Sequence, residues 1–542
     1  MMLDALGAFR VRFGAAPLLL WMAVLGLLLV GRRTSTLRAS APAWSLRAAR
    51  MACVAGVLGL CAYAAVAIWY ASDLHFFDNA EPTITALGWL FHAGQPLYPA
   101  PDAAEQYAHI YGPMAYILHG VVLAALGPGI GVSKGLGAGA GMASLALLYA
   151  AIRPHGSAMR AASLTGVCAL LLLMFRNYSF WTRPDPLQLL CISAALLLAA
   201  SERACGRGHW RAVFVGLASG VLWNLKFTGP MYSLPVFALL RRRSGVRETA
   251  LAAAVGIVAA AAPFVVFPNV SLADYLTWVR LSARTGLSLS VLRQNLEWAA
   301  YFGLPLLLSY YAVPREKRPS GPEWRDVMVA LSVGICGVVI AAAKPGAGPY
   351  HLLPFLPIIV FVVSWQLSGF SLPAGPDPVA ARGAVAFLLV TVLVAIAQQA
   401  QLITTIRARS TLLEADDIRQ FAGSHPGTIE MGYGRTETLT LARPVLVFRN
   451  NSYLLDQPAV REHQLEGFEV SRATIDALLA CRVNYWLIPR GEAPFSGVNS
   501  YAAVLLRPLY PLGFRRAFEA TYKRVGTTAY YDVWQCRTRP GT

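Results

Sequence analysis

Charge is what this sequence has least of. Only 14% of its residues are Asp, Glu, Lys or Arg and 56% are hydrophobic, whereas soluble domains run near a quarter charged. A soluble globular enzyme is thereby excluded. Acidic residues are the scarcer sign, 28 against 46 Lys plus Arg, for a formal net charge of +18. Most basic residues sit in short loops between apolar runs, and those of the tail form no stripe. They therefore read as an orientation signal, and no nucleic-acid partner is expected. The sequence has no C-x-x-C, so a zinc or redox motif is not indicated. No small-residue cleavage site follows the first apolar run, which is expected to be a retained helix.

Apolar runs are what fill the chain. Spans are expected near 15–31, 51–70, 135–152, 161–176, 186–200, 212–225, 228–240, 247–267, 295–313, 326–343, 351–368 and 383–403, lengths of the order that crosses a bilayer. Basic clusters at Arg32, Arg33, Arg38, Arg47 and Arg50, at Arg203, Arg207 and Arg211, at Arg241–Arg243 and Arg247, and at Arg315, Lys317, Arg318 and Arg325 mark cytoplasmic loops. With Arg153 and Arg160 they fix the parity. The apolar segment 112–130 then lies in the interface or dips part-way. The loops 71–134, 177–185, 225–229, 268–294 and 344–350, and everything after 403, fall on the other side. The expected fold is a polytopic α-helical membrane protein of about 12 transmembrane helices. It carries juxtamembrane helices in a large first extracytoplasmic loop and a small C-terminal α/β domain. The expected domains are 1–50, 51–403 and 404–542. Strand-like runs RPVLVFRN and VNYWLIP stand in the tail, where Cys481 and Cys536 make either a disulfide or two separate buried thiols.

Four polar clusters share the extracytoplasmic side. They are Asp78 and Glu81 in FFDNAEP, with Asp73, Asp102 and Glu105 further along the same loop; Arg183 and Asp185 in FWTRPDP; Lys226 in LWNLKFTGP; and Lys344, Tyr350 and His351 in KPGAGPYHLLP. Each has a plainer role open to it: a helix cap for the acids, a local ion pair for Arg183 and Asp185, a snorkelling lysine at a span end, a packing histidine. Their coincidence on one side favours a joint function. A carboxylate at the bilayer surface can deprotonate an acceptor hydroxyl. Lysine and arginine can hold a phosphate leaving group. The set suits transfer from a lipid phosphate.

These motifs resemble those of the C-type-fold membrane glycosyltransferases that use polyprenyl-phosphate sugars, a family that includes the bacterial aminoarabinose transferases and the protein O-mannosyltransferases. FFDNAEPTITALGWLFHAGQPLYPAP resembles the family's acidic loop, with Gly94 and Tyr98 in its turn. YGPMAYIL resembles its juxtamembrane helix, and VGLASGVLWNLKFTGPMYSLPVFALLRRR its lysine-containing helix pair. RPDPLQLL and YHLLPFLP resemble two further family stretches. The likeness covers roughly residues 51–403. The acids are spaced D-x-x-E rather than adjacent or D-x-D, so the base is Asp78 or Glu81.

The resemblance implies an inverting transfer of sugar from a polyprenyl-phosphate donor to a hydroxyl of a lipid, glycan or protein acceptor. Asp78 would be the base and Glu81 would position acceptor or sugar. Lys226, Lys344, His351 and Arg183 would hold the donor phosphate, while Asp185, Tyr98 and Tyr350 would line the cavity. No cofactor is required. A divalent metal is compatible with the acids, although no ligand set demands one. The implied location is a bacterial inner membrane, with the site and tail facing the periplasm. A transporter or lipid flippase is the alternative. Against it, no internal repeat is visible and the charges lie at one face.

Overall fold

The computed structural model describes residues 18, 41–201, 208–368, 378–451, 453–499 and 507–537. Its first long helix, α1 (Ala41–Ser72), is followed by α2 (Ala80–His92), α3 (Pro113–Leu126), α4 (Ile130–Ile152), α5 (Ala158–Leu173) and α6 (Asp185–Ala200). Next come α7 (Gly208–Leu225), α8 (Gly229–Ser244), α9 (Val246–Val266) and α10 (Leu272–Ser282). Then α11 (Leu289–Ala312), α12 (Pro322–Ala341), α13 (Leu356–Ser368) and α14 (Pro378–Arg409) lead into the polar tail. Each expected span from 51–70 onward falls on one of these helices. The one at 15–31 lies outside the described residues.

Among the described residues six segments are long and apolar enough to cross a membrane: Arg50–Ser72, Ile130–His155, Val246–Val266, Pro322–Ala341, Pro349–Ser368 and Ala380–Ser424. The sequence pattern predicts about twice as many, and length explains much of the difference. Helices α5, α6, α7 and α8 run 16, 16, 18 and 16 residues, somewhat short of the ~20 that cover the hydrocarbon core. α11 is longer, but Arg293 and Glu297 pair within its first half. The segment expected to dip rather than cross is the 14-residue α3, about 21 Å at 1.5 Å per residue.

The chain divides into two compact units. The first comprises residues 1–70, 137–261 and 287–404, and the second residues 71–136, 262–286 and 405–542. The first is a helical bundle. Its α1 and α5 approach so closely at Gly56 that an added Cβ would lie 2.8 Å from the Ser163 Cα, a distance only glycine avoids. α7 and α8 are interrupted at Lys226–Thr228, and Pro230 then stands in the first turn of α8, where its missing N–H costs nothing.

The second unit joins the first long loop to the tail. In the tail α15 (Glu414–Ser424) precedes β1 (Ile429–Met431), α16 (Pro444–Val447), α17 (Gln457–Leu465) and α18 (Arg472–Leu479). β2 (Tyr485–Pro489), α19 (Leu512–Thr521), β3 (Tyr522–Thr527) and β4 (Tyr531–Cys536) complete it. The sheet has the order β1-β2-β4-β3, with β1 and β2 parallel and the other pairs antiparallel. Trp486, Phe495, Phe514, Phe518 and Tyr522 are all fully buried around it. Cys481 and Cys536, 55 residues apart in sequence, are joined as a disulfide with Cα atoms 5.9 Å apart.

VNYWLIP supplies β2 as its pattern suggests, but RPVLVFRN does not form a strand. It is the short helix α16, preceded by a 3₁₀ turn at Thr438–Ala442. Pro444 at the first helical position presets φ and has no ladder N–H to give. Three consecutive buried residues, Val445, Leu446 and Val447, carry no periodicity that distinguishes the two forms.

Candidate active site

The acidic motif lies where the chain leaves α1. Glu81 is fully buried at the start of α2, and its Oε2 accepts the backbone N–H groups of Phe77 and Asp78, each at 3.1 Å. Asp78 is half-buried, and its Oδ1 accepts the Ala80 N–H at 2.9 Å. The glutamate thus reaches back to the amides ahead of the helix, as one half of a capping box does, while Asp78 turns onto the Ala80 amide and the N-cap residue Asn79 makes no side-chain cap. Glu81 fixes the backbone that carries Asp78. Along the same loop Asp102 is exposed, and Glu105 pairs with Arg482 of the tail.

Beneath the motif lies a charged group that sequence reasoning missed. Lys134, fully buried at the start of α4, donates to the carbonyls of Asp73 (2.6 Å) and His75 (2.9 Å), and its ammonium stands 4.9 Å from the Phe77 ring centre. Arg409, at the end of α14, has its guanidinium 5.7 Å from the same ring centre and reaches the Phe76 carbonyl. A lysine inside an otherwise apolar helix was the available signal. His75 bridges Asp73 (3.2 Å) and the Leu412 carbonyl (3.0 Å), with Glu414 3.6 Å from its Nε2.

The Asp73–His75 pair makes stability depend on pH. The hydrogen bond to Asp73 raises the His75 pKa against the opposing effect of burial, helped by Leu412 and Glu414. Burial pushes the Asp73 carboxyl up, but the His75 hydrogen bond and the Lys134 charge outweigh it and hold it low. His75 thus contributes fully below the unfolded histidine value of about 6.5 and loses that contribution as pH rises through its raised folded value. Asp73 contributes above about 3.9 and loses its share as pH falls through its depressed folded value. Thermal unfolding from pH 5 to 8 should show an alkaline decline that His75→Gln flattens. Parallel curves for the two proteins would exclude this pair as its source.

The acidic helix is also pinned to the tail. Arg443 and Asp456, both fully buried, pair at 2.8 Å. Arg443 donates to the Asn79 carbonyl (2.8 Å) and the Thr83 hydroxyl (2.7 Å), and Thr83 donates to Asp456 at 2.9 Å. Tyr453 closes the ring, accepting from Arg443 at 3.0 Å and donating to Asp456 at 2.6 Å. Every charge and hydroxyl in it is matched, the condition under which a buried polar network holds one geometry. Tyr98, expected to line a cavity, is instead a packing residue of this unit. Its hydroxyl donates to the Tyr111 carbonyl at 2.7 Å, and its ring lies against Tyr116 and Tyr275.

In the first unit the structure brings Arg183, Asp185, Lys226, Tyr350 and His351 together. Asp185 opens α6 and is fully buried. Its two oxygens accept from Lys226 Nζ at 2.6 Å and Trp181 Nε1 at 3.1 Å. The local Arg183–Asp185 ion pair, the plainer role open to these residues, gives way to this Lys226–Asp185 pair, so Asp185 does not present a free carboxylate to a cavity. Arg183 instead donates to the Tyr350 hydroxyl at 3.1 Å, with its guanidinium 4.2 Å from the Trp181 ring centre. Lys226 also stands 5.5 Å from the Tyr350 ring centre. The 3₁₀ turn Pro349–Phe355 presents His351, whose carbonyl accepts from the Tyr232 hydroxyl at 2.8 Å. The His351 Nδ1 has no hydrogen-bond partner among the described residues. Half-buried Lys344 bears on His351 electrostatically. Arg183 and Lys226 against Asp185 leave one net positive charge beside an open imidazole nitrogen, a setting that suits a phosphate.

Residues 109–364, which include this entire cluster, match the family model of glycosyltransferase family 87. The chain is a membrane glycosyltransferase. Among solved structures the glycosyltransferase is similar to ArnT from Cupriavidus metallidurans bound to undecaprenyl phosphate, with 14% identity and a TM-score of 0.49 over 92% of this chain and 98% of that one. It is also similar to the oligosaccharyltransferase of Archaeoglobus fulgidus in the apo form, with 12% identity and a TM-score of 0.44 over 88% of this chain and 74% of that one. No curated protein sequence matches the glycosyltransferase. Among its described residues no group of three or more His, Cys, Asp or Glu is placed to hold a metal ion.

Proposed function

We propose that the glycosyltransferase transfers a sugar from a polyprenyl-phosphate donor to a hydroxyl of an extracytoplasmic acceptor, with inversion. The observation that carries this reading is the division of labour between the two acids. Glu81 is buried and committed to backbone amides, while Asp78 remains half-buried on the loop that Glu81 fixes. Asp78 takes the proton of the acceptor hydroxyl. The acceptor oxygen bonds to the anomeric carbon from the face opposite the leaving group. The bond from that carbon to the phosphate oxygen breaks, and the polyprenyl phosphate departs with the electron pair.

Arg183, Lys226 and His351 hold that phosphate, with Lys344 adding charge; Asp185 keeps Lys226 in place. That net positive charge at the leaving group stabilises the negative charge that develops there in the transition state. The reading places the protein in a bacterial inner membrane, with its acids and tail on the periplasmic side.

Native mass spectrometry of the purified protein with added polyprenyl phosphate tests the donor assignment. The wild type should retain one polyprenyl phosphate. Arg183→Gln should weaken retention by about 10-fold or more, the effect of losing one charge-assisted hydrogen bond. Binding of bulk phospholipid alone, with no uptake of polyprenyl phosphate by the wild type, would exclude this donor.

A further inference from the structure

The first unit contains a half-open apolar cavity of about 420 Å³ that runs along α13 from Val360 to Leu367. It lies among α1, α5, α11, α13 and α14, with Leu164, Leu308, Ala384 and Phe387 in its wall. Ser157, Arg160, Ser163 and Ser309 are the polar residues of its lining, the first two at the start of α5. Protein interiors are packed as densely as organic crystals, so an unfilled hollow of this size with a mostly hydrocarbon lining offers room for an apolar guest. The volume falls in the range of about 300–1,000 Å³ typical of small-ligand sites. In a membrane the available guest is a hydrocarbon chain.

The border says what that chain is attached to. Ser157 caps α5, accepting the Arg160 N–H at 3.2 Å. The first turn of a 16-residue helix therefore opens beside the cavity, and its amides and dipole favour an anion. Arg160 is half-buried there and holds the Leu367 carbonyl at 2.9 Å. Arg153 lies exposed in the turn just ahead. Among the described residues that line the cavity none is acidic. We infer that this cavity binds one anionic phospholipid, with an acyl chain inside and its phosphate at Arg160 and the α5 N-terminus.

The test uses the full-length protein, stripped of lipid in mild detergent and examined by native mass spectrometry. Phosphatidylglycerol, phosphatidylcholine with the same chains, and polyprenyl phosphate are each added. One phosphatidylglycerol should be retained, about five- to tenfold better than phosphatidylcholine, as expected for one or two basic residues acting on an anionic headgroup. Ala384→Trp, which fills the cavity, should abolish retention. Arg160→Gln should lower phosphatidylglycerol to the level of phosphatidylcholine, and it carries the test alone if Ala384→Trp does not fold. Unchanged retention in Ala384→Trp or in Arg160→Gln would overturn the inference. So would displacement of phosphatidylglycerol by polyprenyl phosphate in the wild type, which would make the cavity a site for the donor's tail. None of these readouts depends on sugar transfer, so the result stands apart from the proposed reaction.

Discussion

Asp78→Asn is expected to lower turnover by about 10²- to 10⁴-fold, the range over which a positioned general base contributes, with thermal stability nearly unchanged. Asparagine keeps an oxygen to accept the Ala80 N–H that Asp78 holds at 2.9 Å, so the helix start survives while the basic group is gone. Glu81→Ala should behave differently. It leaves the Phe77 and Asp78 amides without their acceptor, and a buried amide without a partner costs about 1–3 kcal/mol. Both activity and unfolding temperature should then fall. Steady-state kinetics and thermal unfolding on the two variants separate the roles. An Asp78→Asn protein retaining more than a tenth of wild-type turnover would remove Asp78 as the base. An Asp78→Asn protein that unfolds as early as Glu81→Ala would make it structural.

The second large effect is one of stability. Arg443→Met should destabilise the second unit by about 3–5 kcal/mol, because it strands the Asp456 carboxylate in the interior. Asp456 is 0% exposed, so water cannot replace the lost guanidinium. At about 2–4 °C per kcal/mol for a body of this size, the midpoint should drop by roughly 10 °C. Adding Asp456→Leu to Arg443→Met should recover part of the loss, since the orphaned charge is then gone. Thermal unfolding in detergent, followed by tryptophan fluorescence, measures both. An Arg443→Met midpoint within a degree of wild type would show that the pair is not what fixes α2. Because Arg443 also holds the Asn79 carbonyl, one residue from Asp78, turnover should fall alongside stability.

The helices were legible in the sequence because apolar run length and basic loop clusters are read residue by residue, and each expected span within the described residues meets a helix. The break at Lys226 was legible for the same reason, since NLKFTGP stops one apolar run and restarts another. Span count was less so, because 16-residue helices such as α5 and α6 sit near the length threshold. The site was only half visible. D-x-x-E marked the acids but left the base ambiguous, because the spacing alone does not show that Glu81 is taken up by the Phe77 and Asp78 amides. What no local pattern could supply was pairing across distance. Lys226 with Asp185, His75 with Glu414, and Arg443 with Asp456 and Thr83 depend on which segments meet. RPVLVFRN failed for a related reason: Arg443 is held by the ring it closes with Tyr453, Asp456 and Thr83, and a run of valines does not show that.

The second unit is made from three stretches of chain, and this sets a timetable for its birth. Thr83 leaves the ribosome 373 residues before its partner Asp456. At about 5–20 residues per second, α2 waits roughly 20–75 s for the residues that clamp it. Throughout that interval the acidic helix has no Arg443 against it and Glu105 has no Arg482. A chain that ends between residues 409 and 443 therefore has its membrane helices complete in outline but an acidic loop with no Arg443 or Asp456 to close on. Membrane quality control would meet that loop as its earliest exposed target, and a premature stop late in the gene should be as damaging as one near its start.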